Sequence, residues 1–274
     1  MPRKNRVLGP EGFLDVDGAR LEYRFVPARS AGRPTLVFLH EGLGCVALWR
    51  DFPDAVAAAT DCAALVYSRA GYGRSSPVPL PRPLTYMHEE GLTGLPRLLD
   101  AAGLDDVVLV GHSDGGSIAL VHAGAADPAG RVRGVATLAP HVFCEALTVS
   151  SIARAREAYE AGDLREKLAR HHGANVDVAF WGWNRAWLDP RFMEWNIEEY
   201  LPRVRVPVLV VQGREDPYGT AAQYERIASS CGGPARVVVL EACGHSPHRD
   251  QRDATLEAIT RFVIDLPPRP RRGS

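Results

Sequence analysis

The stretch Val107-Val108-Leu109-Val110-Gly111-His112-Ser113-Asp114-Gly115-Gly116 decides the fold of this chain. Its apolar first half predicts a strand that is buried on both faces, as in a parallel sheet. The second half contains Gly-x-Ser-x-Gly and leads into a segment that is apolar almost all round, which predicts a buried helix. A serine between such a strand and helix lies on a sharp, strained turn, and small neighbours let the two elements approach closely. The stretch therefore predicts a nucleophile at Ser113, beside helix amides that favour negative charge.

Similar apolar runs occur on both sides of this stretch and alternate with helical patterns. Helical spacing is found between Leu48 and Ala59 and between Glu89 and Ala102, while Leu14 to Phe25 indicates two short strands around an Asp-Gly turn. The alternation predicts right-handed crossovers and a parallel sheet. A nucleotide-binding sheet is the competing interpretation, but no Gly-x-Gly-x-x-Gly follows the first parallel strand. The further runs lie at 35–40, 63–67, 132–138, 208–211 and 237–240.

One segment interrupts the alternation. Residues 143–200 contain charged helical stretches and an aromatic-rich piece but no convincing strand. We therefore expect one large α/β domain, formed by residues 1–142 and 201–274, with a helical cap inserted at 143–200.

Composition excludes several classes of protein. The chain has 274 residues with 32 basic and 33 acidic side chains, so its balance does not favour nucleic acid as a partner. No apolar stretch reaches the roughly 20 residues that span a bilayer, and the basic amino terminus lacks a signal-peptide core. Five irregularly spaced cysteines indicate neither a zinc site nor a disulfide framework, so we expect a cytoplasmic protein without metal or cofactor. The basic tail at 269–272 is expected to be a solvated end. The oligomeric state stays open.

A serine nucleophile needs a base near neutral pH, and His245 is the best candidate. It follows the last predicted strand, and the carboxyl ends of parallel strands are where such sheets carry their sites. His248 is the rival, but Gly244 gives His245 the freer approach. An acid that orients the histidine is expected between Ser113 and His245 in sequence, after the strand at 208–211. Asp216 is favoured there over its neighbour Glu215.

The oxyanion of a tetrahedral intermediate needs two backbone amides. We expect one from Asp114, the residue after the nucleophile, and one from the loop His40-Glu41-Gly42-Leu43-Gly44.

Together these motifs resemble the α/β-hydrolase superfamily over nearly the full chain. The matching residues are His40 to Gly44, Ser68-Arg69-Ala70-Gly71-Tyr72-Gly73-Arg74-Ser75, Gly111 to Gly116, Gly213 to Asp216 and Gly244-His245. The resemblance implies an α/β-hydrolase fold: a mostly parallel eight-stranded sheet with helices on both faces and a helical cap. It also implies the triad Ser113, His245 and Asp216. The chain is similar to capped single-domain hydrolases, which include esterases, carbon–carbon bond hydrolases and proline iminopeptidases.

Two positions depart from the common family pattern. The family loop begins His-Gly, whereas Glu41 stands second here, and alignment of the loop ends assigns the oxyanion donor to Gly42, with Leu43 as the fallback. Glu41 is either a solvated loop acid or salt-bridge partner, or a group that helps to shape the site or hydrogen-bonds a neighbouring loop. Asp114 beside the nucleophile either disfavours an anionic substrate or turns its carboxylate into solvent.

The cap contributes many aromatic side chains, and two interpretations are open for them. They either anchor the cap to the sheet or line an apolar pocket, in which case Leu43, Trp181 and Trp183 are the substrate-binding candidates. The aromatic residues are Phe180, Trp181, Trp183, Trp187, Phe192 and Trp195.

The sequence thus predicts a carboxylesterase-like serine hydrolase that cleaves a small ester or related acyl compound through an acyl-enzyme. One alternative is carbon–carbon bond hydrolysis of a diketone-type acid, which a buried cation for the carboxylate, such as Arg69 or Arg185, would favour. A second alternative, from another class, is a non-catalytic receptor for a small ligand on the same fold. Epoxide and haloalkane chemistry are disfavoured, because the corresponding relatives carry Asp where this chain has Ser113.

Overall fold

The structure, a computed structural model, describes residues 8–125, 127 and 130–267. The ends of the predicted core and the basic tail at 269–272 therefore lie outside the described residues. The strands are β1 (Glu11–Val16), β2 (Ala19–Val26), β3 (Thr35–Leu39), β4 (Ala63–Tyr67), β5 (Val107–His112), β6 (Val132–Leu138), β7 (Val208–Gly213) and β8 (Ala235–Leu240). The α-helices are α1 (Phe52–Thr60), α2 (Tyr86–Glu89), α3 (Leu95–Ala102), α4 (Asp114–Ala125), α5 (Ala146–Glu160), α6 (Leu164–His172), α7 (Val176–Trp187), α8 (Ala221–Ser230), α9 (Pro247–Asp250) and α10 (Arg252–Ile264).

The strands form one eight-stranded sheet in the order β1-β2-β4-β3-β5-β6-β7-β8. The amino-terminal hairpin is antiparallel and pairs antiparallel with β4, whereas every pair from β4 to β8 is parallel. The predicted fold class is confirmed. β5 lies near the middle of the sheet, so the residues that follow it lie at the centre of its carboxyl edge.

Helices cover both faces of the sheet, and the alternation of side chains along each strand divides the core in two. Val108 and Val110 of β5 pack in the cluster that contains α1 and α10, while Val107 and Leu109 pack with α3 and α4. Because both faces are covered, the central strands are apolar at successive positions. Among the described residues, no helix is long and apolar enough to cross a lipid bilayer.

The segment between β6 and β7 forms the helices α5, α6 and α7 and short 3₁₀ turns. Its two ends meet as a short antiparallel pair, in which the amide of Ile197 donates to the carbonyl of Val142 at 2.8 Å and that of Cys144 to Trp195 at 3.1 Å. The pair lies within a few residues of the expected ends of the cap. The division into core and cap itself stays a prediction.

The predicted helix at 89–102 differs from the structure. A π-helical turn at Glu90–Gly94 separates α2 from α3, and Leu92 is exposed, although regular helical spacing at 89–102 would place it on one face with Leu95 and Leu99. The wide turn brings Gly91 against α4, where an added Cβ would lie 2.7 Å from Val121. The extra residue per turn rotates Leu92 out of the line that Leu95 and Leu99 follow.

Candidate active site

Ser113 lies on the turn between β5 and α4 with a φ of +51°, in the left-handed region that non-glycine residues rarely adopt. Its amide donates to the carbonyl of Leu138 at 2.8 Å, which ties the turn to the neighbouring strand. The small neighbours are required for close approach: a Cβ on Gly115 would lie 2.1 Å from the carbonyl oxygen of Leu39, and one on Gly111 would lie 2.3 Å from that of Gly115. The strain is thus held by packing, and it presents Oγ of Ser113 above the sheet.

The structure brings Ser113, His245 and Asp216 together. Nε2 of His245 lies 2.9 Å from Oγ of Ser113, and Nδ1 lies 2.9 Å and 2.8 Å from the two carboxylate oxygens of Asp216. A carboxylate can only accept, so Nδ1 carries the hydrogen and Nε2 is left to accept from the serine. The three residues follow β5, β7 and β8, whose carboxyl ends lie at one edge of the sheet.

Asp216 is held in place by two further donors. The side-chain amide of Gln212 donates to Oδ2 at 2.7 Å, and the amide of Tyr218 donates to Oδ1 at 2.8 Å. Burial alone would raise the pKa of Asp216, but the hydrogen bond and charge of His245 more than offset it and leave the pKa below its ordinary value. Sequence reasoning assigned no role to Gln212; a polar residue at the end of an otherwise apolar strand was the available signal.

The rival histidine lies elsewhere. His248 is buried against Trp49 and Phe52, with ring centroids 4.9 Å and 5.7 Å away, and burial lowers its pKa to about 3. His141, which the sequence analysis overlooked, lies closer to the triad: its ring centroid is 5.7 Å from that of His245. Burial lowers the pKa of His141 to about 3, so it is a neutral imidazole in the wall of the site.

The loop after β3 is fixed by its own carbonyl groups. The carbonyl oxygen of Glu41 accepts from Nδ1 of His40 at 2.7 Å, from Nη2 of Arg69 at 3.1 Å and from the amide of Gly44 at 3.1 Å. In a trans peptide the next amide points the opposite way, so these three bonds turn the N–H of Gly42 away from Arg69. Within the described part of the chain, this amide has no acceptor.

The amide of Asp114, at the amino end of α4, likewise has no acceptor among the described residues. Its side chain does not turn into solvent, as one expectation had it. The carboxylate is buried, accepts from the hydroxyl of Tyr86 at 2.5 Å and lies 3.9 Å from Nη2 of Arg69. Burial raises its pKa, although Arg69 opposes the effect. The side chain therefore belongs to the packing beneath the site, which leaves only the backbone amide toward the cavity.

A cavity of about 600 Å³ opens above Ser113. Leu43 and Trp183 line it as expected, together with Leu168, Ile152 and Trp187 from the cap. The carboxylates of Glu41, Glu215 and Asp250 and the guanidinium of Arg249 also border it.

Trp181 was predicted to bind substrate, but the structure does not bring it into the cavity lining. Its ring packs against Tyr159 and Phe180 at 5.5 Å and 5.0 Å, and the guanidinium of Arg185 lies 5.0 Å from its centroid. On α7, residues 181 and 183 are about 200° apart, so they face opposite sides of the helix. Trp181 therefore matches the anchoring interpretation and Trp183 the lining one.

Comparison with known proteins identifies the family. The model of the alpha/beta hydrolase family matches residues 36–258. The chain is 24% identical to a proline iminopeptidase of Lactobacillus crispatus (strain ST1), over 92% of this chain and 97% of that protein. Similar solved structures include a hydrolase from Pseudomonas aeruginosa PA01, with a TM-score of 0.70, 22% identity and coverage of 93% of this chain and 98% of that one. The esterase RhEst1 from Rhodococcus sp. ECU1013 also has a TM-score of 0.70, with 17% identity and coverage of 94% and 100%. The chain therefore belongs to the alpha/beta hydrolase family.

Proposed function

We propose that this chain is a serine hydrolase that cleaves a small ester or related acyl compound through an acyl-enzyme. The observation that carries the proposal is the 2.9 Å contact between Nε2 of His245 and Oγ of Ser113, on a turn that holds the serine at a φ of +51°. A nucleophile within hydrogen-bond reach of a base, which a third group orients, is the signature of this chemistry.

In the proposed reaction, Oγ of Ser113 attacks the carbonyl carbon as its proton passes to Nε2 of His245. Asp216 keeps Nδ1 protonated and stabilises the imidazolium that forms, without itself accepting the proton. The amides of Asp114 and Gly42 stabilise the oxyanion, and loss of one such donor typically costs a factor of about 10² to 10³ in rate. The imidazolium then protonates the leaving alcohol. A water molecule, deprotonated by His245, releases the acid and restores Ser113.

The surroundings of the two candidate cations weaken the case for carbon–carbon bond hydrolysis. Arg69 is fully buried and donates to the carbonyl oxygens of His40 and Glu41 at 2.5 Å and 3.1 Å. Arg185 lies beside Trp181, outside the cavity lining. Neither guanidinium is available to a substrate carboxylate, and the carboxylates at the cavity disfavour such a substrate further.

The same carboxylates support a second candidate, cleavage of a peptide-like bond next to a free amine. Several relatives are named proline iminopeptidases, and Glu215 and Asp250 border the mouth of the cavity as exposed acids. A cationic amine is attracted to such a rim. The chemistry of Ser113, His245 and Asp216 would be unchanged.

One panel of substrates tests the proposal: activated esters of varied acyl length, amino-acyl arylamides with and without a free amine, and aryl diketo-acids. The proposal expects the esters to be cleaved fastest, with Ser113→Ala inactive. Preference for prolyl arylamides would favour the second candidate. The receptor alternative predicts that no substrate is turned over and that a fluorophosphonate does not label Ser113.

We further propose a small molecule as the partner, rather than nucleic acid or a membrane, and the cytoplasm as the compartment. All five cysteines are free thiols in the structure, which supports a reducing environment. Burial raises the pKa of Cys45 to about 12 and that of Cys243 to about 11, so neither is a competing nucleophile.

A further inference from the structure

His112 stands between the two loops that carry the proposed chemistry. Its Nε2 lies 2.6 Å from the backbone carbonyl oxygen of His245, and its Nδ1 lies 3.3 Å from Oε2 of Glu41. The His112 side chain is 1% exposed and that of Glu41 25%, so the ring is locked while the carboxylate reaches the cavity. The proposed reaction uses neither side chain.

The hydrogen positions follow from the partners. A carbonyl oxygen only accepts, so Nε2 of His112 carries a hydrogen. Nδ1 then faces the carboxylate of Glu41, which favours a hydrogen between them. Burial alone would raise the pKa of Glu41, but the hydrogen bond and charge of His112 more than offset it and hold the pKa well below its ordinary value. Glu41 is therefore the acceptor and Nδ1 the donor.

The side chains of three other titratable residues face this pair without bonding to it. The ring centroids of His248 and His245 lie 4.9 Å and 5.3 Å from that of His112. His40, in the same loop as Glu41, is a buried imidazole whose pKa burial holds well below its ordinary value. None of the three provides the ring nitrogens of His112 with an acceptor side chain, so within the described residues the carboxylate of Glu41 is the one side-chain acceptor that bonds this ring.

We infer that Glu41 and His112 are positioning residues. They form a bridge that keeps the backbone of His245 in register with the loop at 40–44, hereafter the oxyanion loop. The inference rests on the proposed function. The backbone of Glu41 is held rigidly, because its carbonyl oxygen accepts hydrogen bonds from Arg69, His40 and Gly44. The bridge transfers that rigidity across His112 to the base. A glycine at position 41 would have no side chain with which to hold the ring.

The relative position of the loop and the base matters because the oxyanion donor and the base must both lie within hydrogen-bond reach of the same tetrahedral centre. Displacement of a reacting group by about 1 Å can cost a factor of about 10² in rate. Loss of the bridge should therefore lower kcat and leave KM largely unchanged, since neither side chain is needed to hold the apolar part of a substrate.

The test compares truncation with conservative replacement. His112→Ala and Glu41→Ala should each lower kcat for an activated ester by about 10-fold to 100-fold. His112→Gln should recover most of the loss, because its amide can still donate to the carbonyl of His245. Glu41→Gln should do the same by donating to Nδ1 of a neutral ring. His122→Gln is the matched control and should keep wild-type kcat, because it replaces a buried histidine of α4 that bonds the carbonyl of Gly91 in the π-helical turn.

Two results would overturn the inference: wild-type kcat in folded His112→Ala, or equal losses in folded His112→Ala and His112→Gln. Nitrogen-15 spectra of the histidine rings provide a readout that needs no turnover. They should show a hydrogen on Nε2 of His112, and an Nδ1 signal that changes between the wild type and Glu41→Gln. A bare Nε2, or spectra that do not respond to Glu41→Gln, would refute the bridge. Wild-type protein that neither cleaves esters nor reacts with a fluorophosphonate would instead refute the proposed function.

Discussion

Substitution of Gly42 by alanine tests how the cap and the oxyanion loop fit together. An added Cβ would lie 2.2 Å from Nε1 and 2.3 Å from Cδ1 of Trp183. Gly42 does not have a positive φ, so alanine can adopt its backbone conformation and the conflict is purely steric. Trp183 is buried, with its ring centroid 6.1 Å from that of Phe180, so it cannot simply swing aside.

The size of the effect follows from the distance that must open. Ordinary contact begins at 3.4 Å, so loop and tryptophan must separate by at least 1.2 Å. If the loop moves, the amide of Gly42 moves away from the proposed oxyanion, and kcat should fall by a factor of about 10², which is roughly 2.7 kcal/mol of activation free energy. If Trp183 moves, the overpacked cap should lose about 1–3 kcal/mol of unfolding free energy.

The assay combines kcat for an activated ester with thermal unfolding, for Gly42→Ala, Trp183→Ala and the double variant. Removal of the indole creates space for the new methyl group, so the double variant should be more active than Gly42→Ala alone. Gly219→Ala is the matched control, since its Cβ would meet both Gln223 and His141 at an ordinary 3.4 Å. Wild-type activity and stability in Gly42→Ala would refute the reasoning. The same loss with and without Trp183 would show that the clash is not its cause.

Three further predictions concern the nucleophile, the buried histidine and the cap. Ser113→Ala should fold normally but retain less than about a thousandth of wild-type kcat and resist fluorophosphonate labelling; higher residual turnover would argue against Ser113. Burial lowers the pKa of His248 to about 3 in the folded chain, whereas in the unfolded chain this side chain is protonated below about pH 6.5. The unfolded state therefore binds more protons, and the free energy of unfolding falls as the pH drops below about 6.5. The stability lost between pH 7 and pH 5 in urea unfolding should therefore shrink by about 2 kcal/mol in His248→Phe, and an unchanged loss would contradict this linkage. Trp183→Ala should change the preference between short and bulky acyl esters, by about 1–3 kcal/mol per methylene-sized change, whereas Trp181→Ala should not; equal effects would contradict the cavity lining.

Much of the architecture was predictable because its signals are local. Four successive apolar residues at 107–110 require a strand covered on both faces, and the small residues around Ser113 are needed wherever a strand turns sharply into a helix. Ser113, Asp216 and His245 each stand just beyond an apolar strand, and their order along the chain is the one that the resemblance to the α/β-hydrolase superfamily implies. The helix at 89–102 was less predictable, because its π-helical turn depends on contact between Gly91 and α4.

The sequence by itself determined the sheet, the nucleophile turn and the residues able to act as nucleophile, base and acid, because strand period, helix period and turn chemistry are properties of neighbouring residues. Tertiary structure alone decided which side chains face one another. Whether Trp181 or Trp183 reaches the cavity depends on how α7 packs on the sheet. The burial of Asp114 depends on Tyr86 and Arg69, and the bridge from Glu41 through His112 joins residues separated by 71 and 133 positions. Contacts between distant segments leave no periodic trace in the sequence, so only the folded chain reveals them.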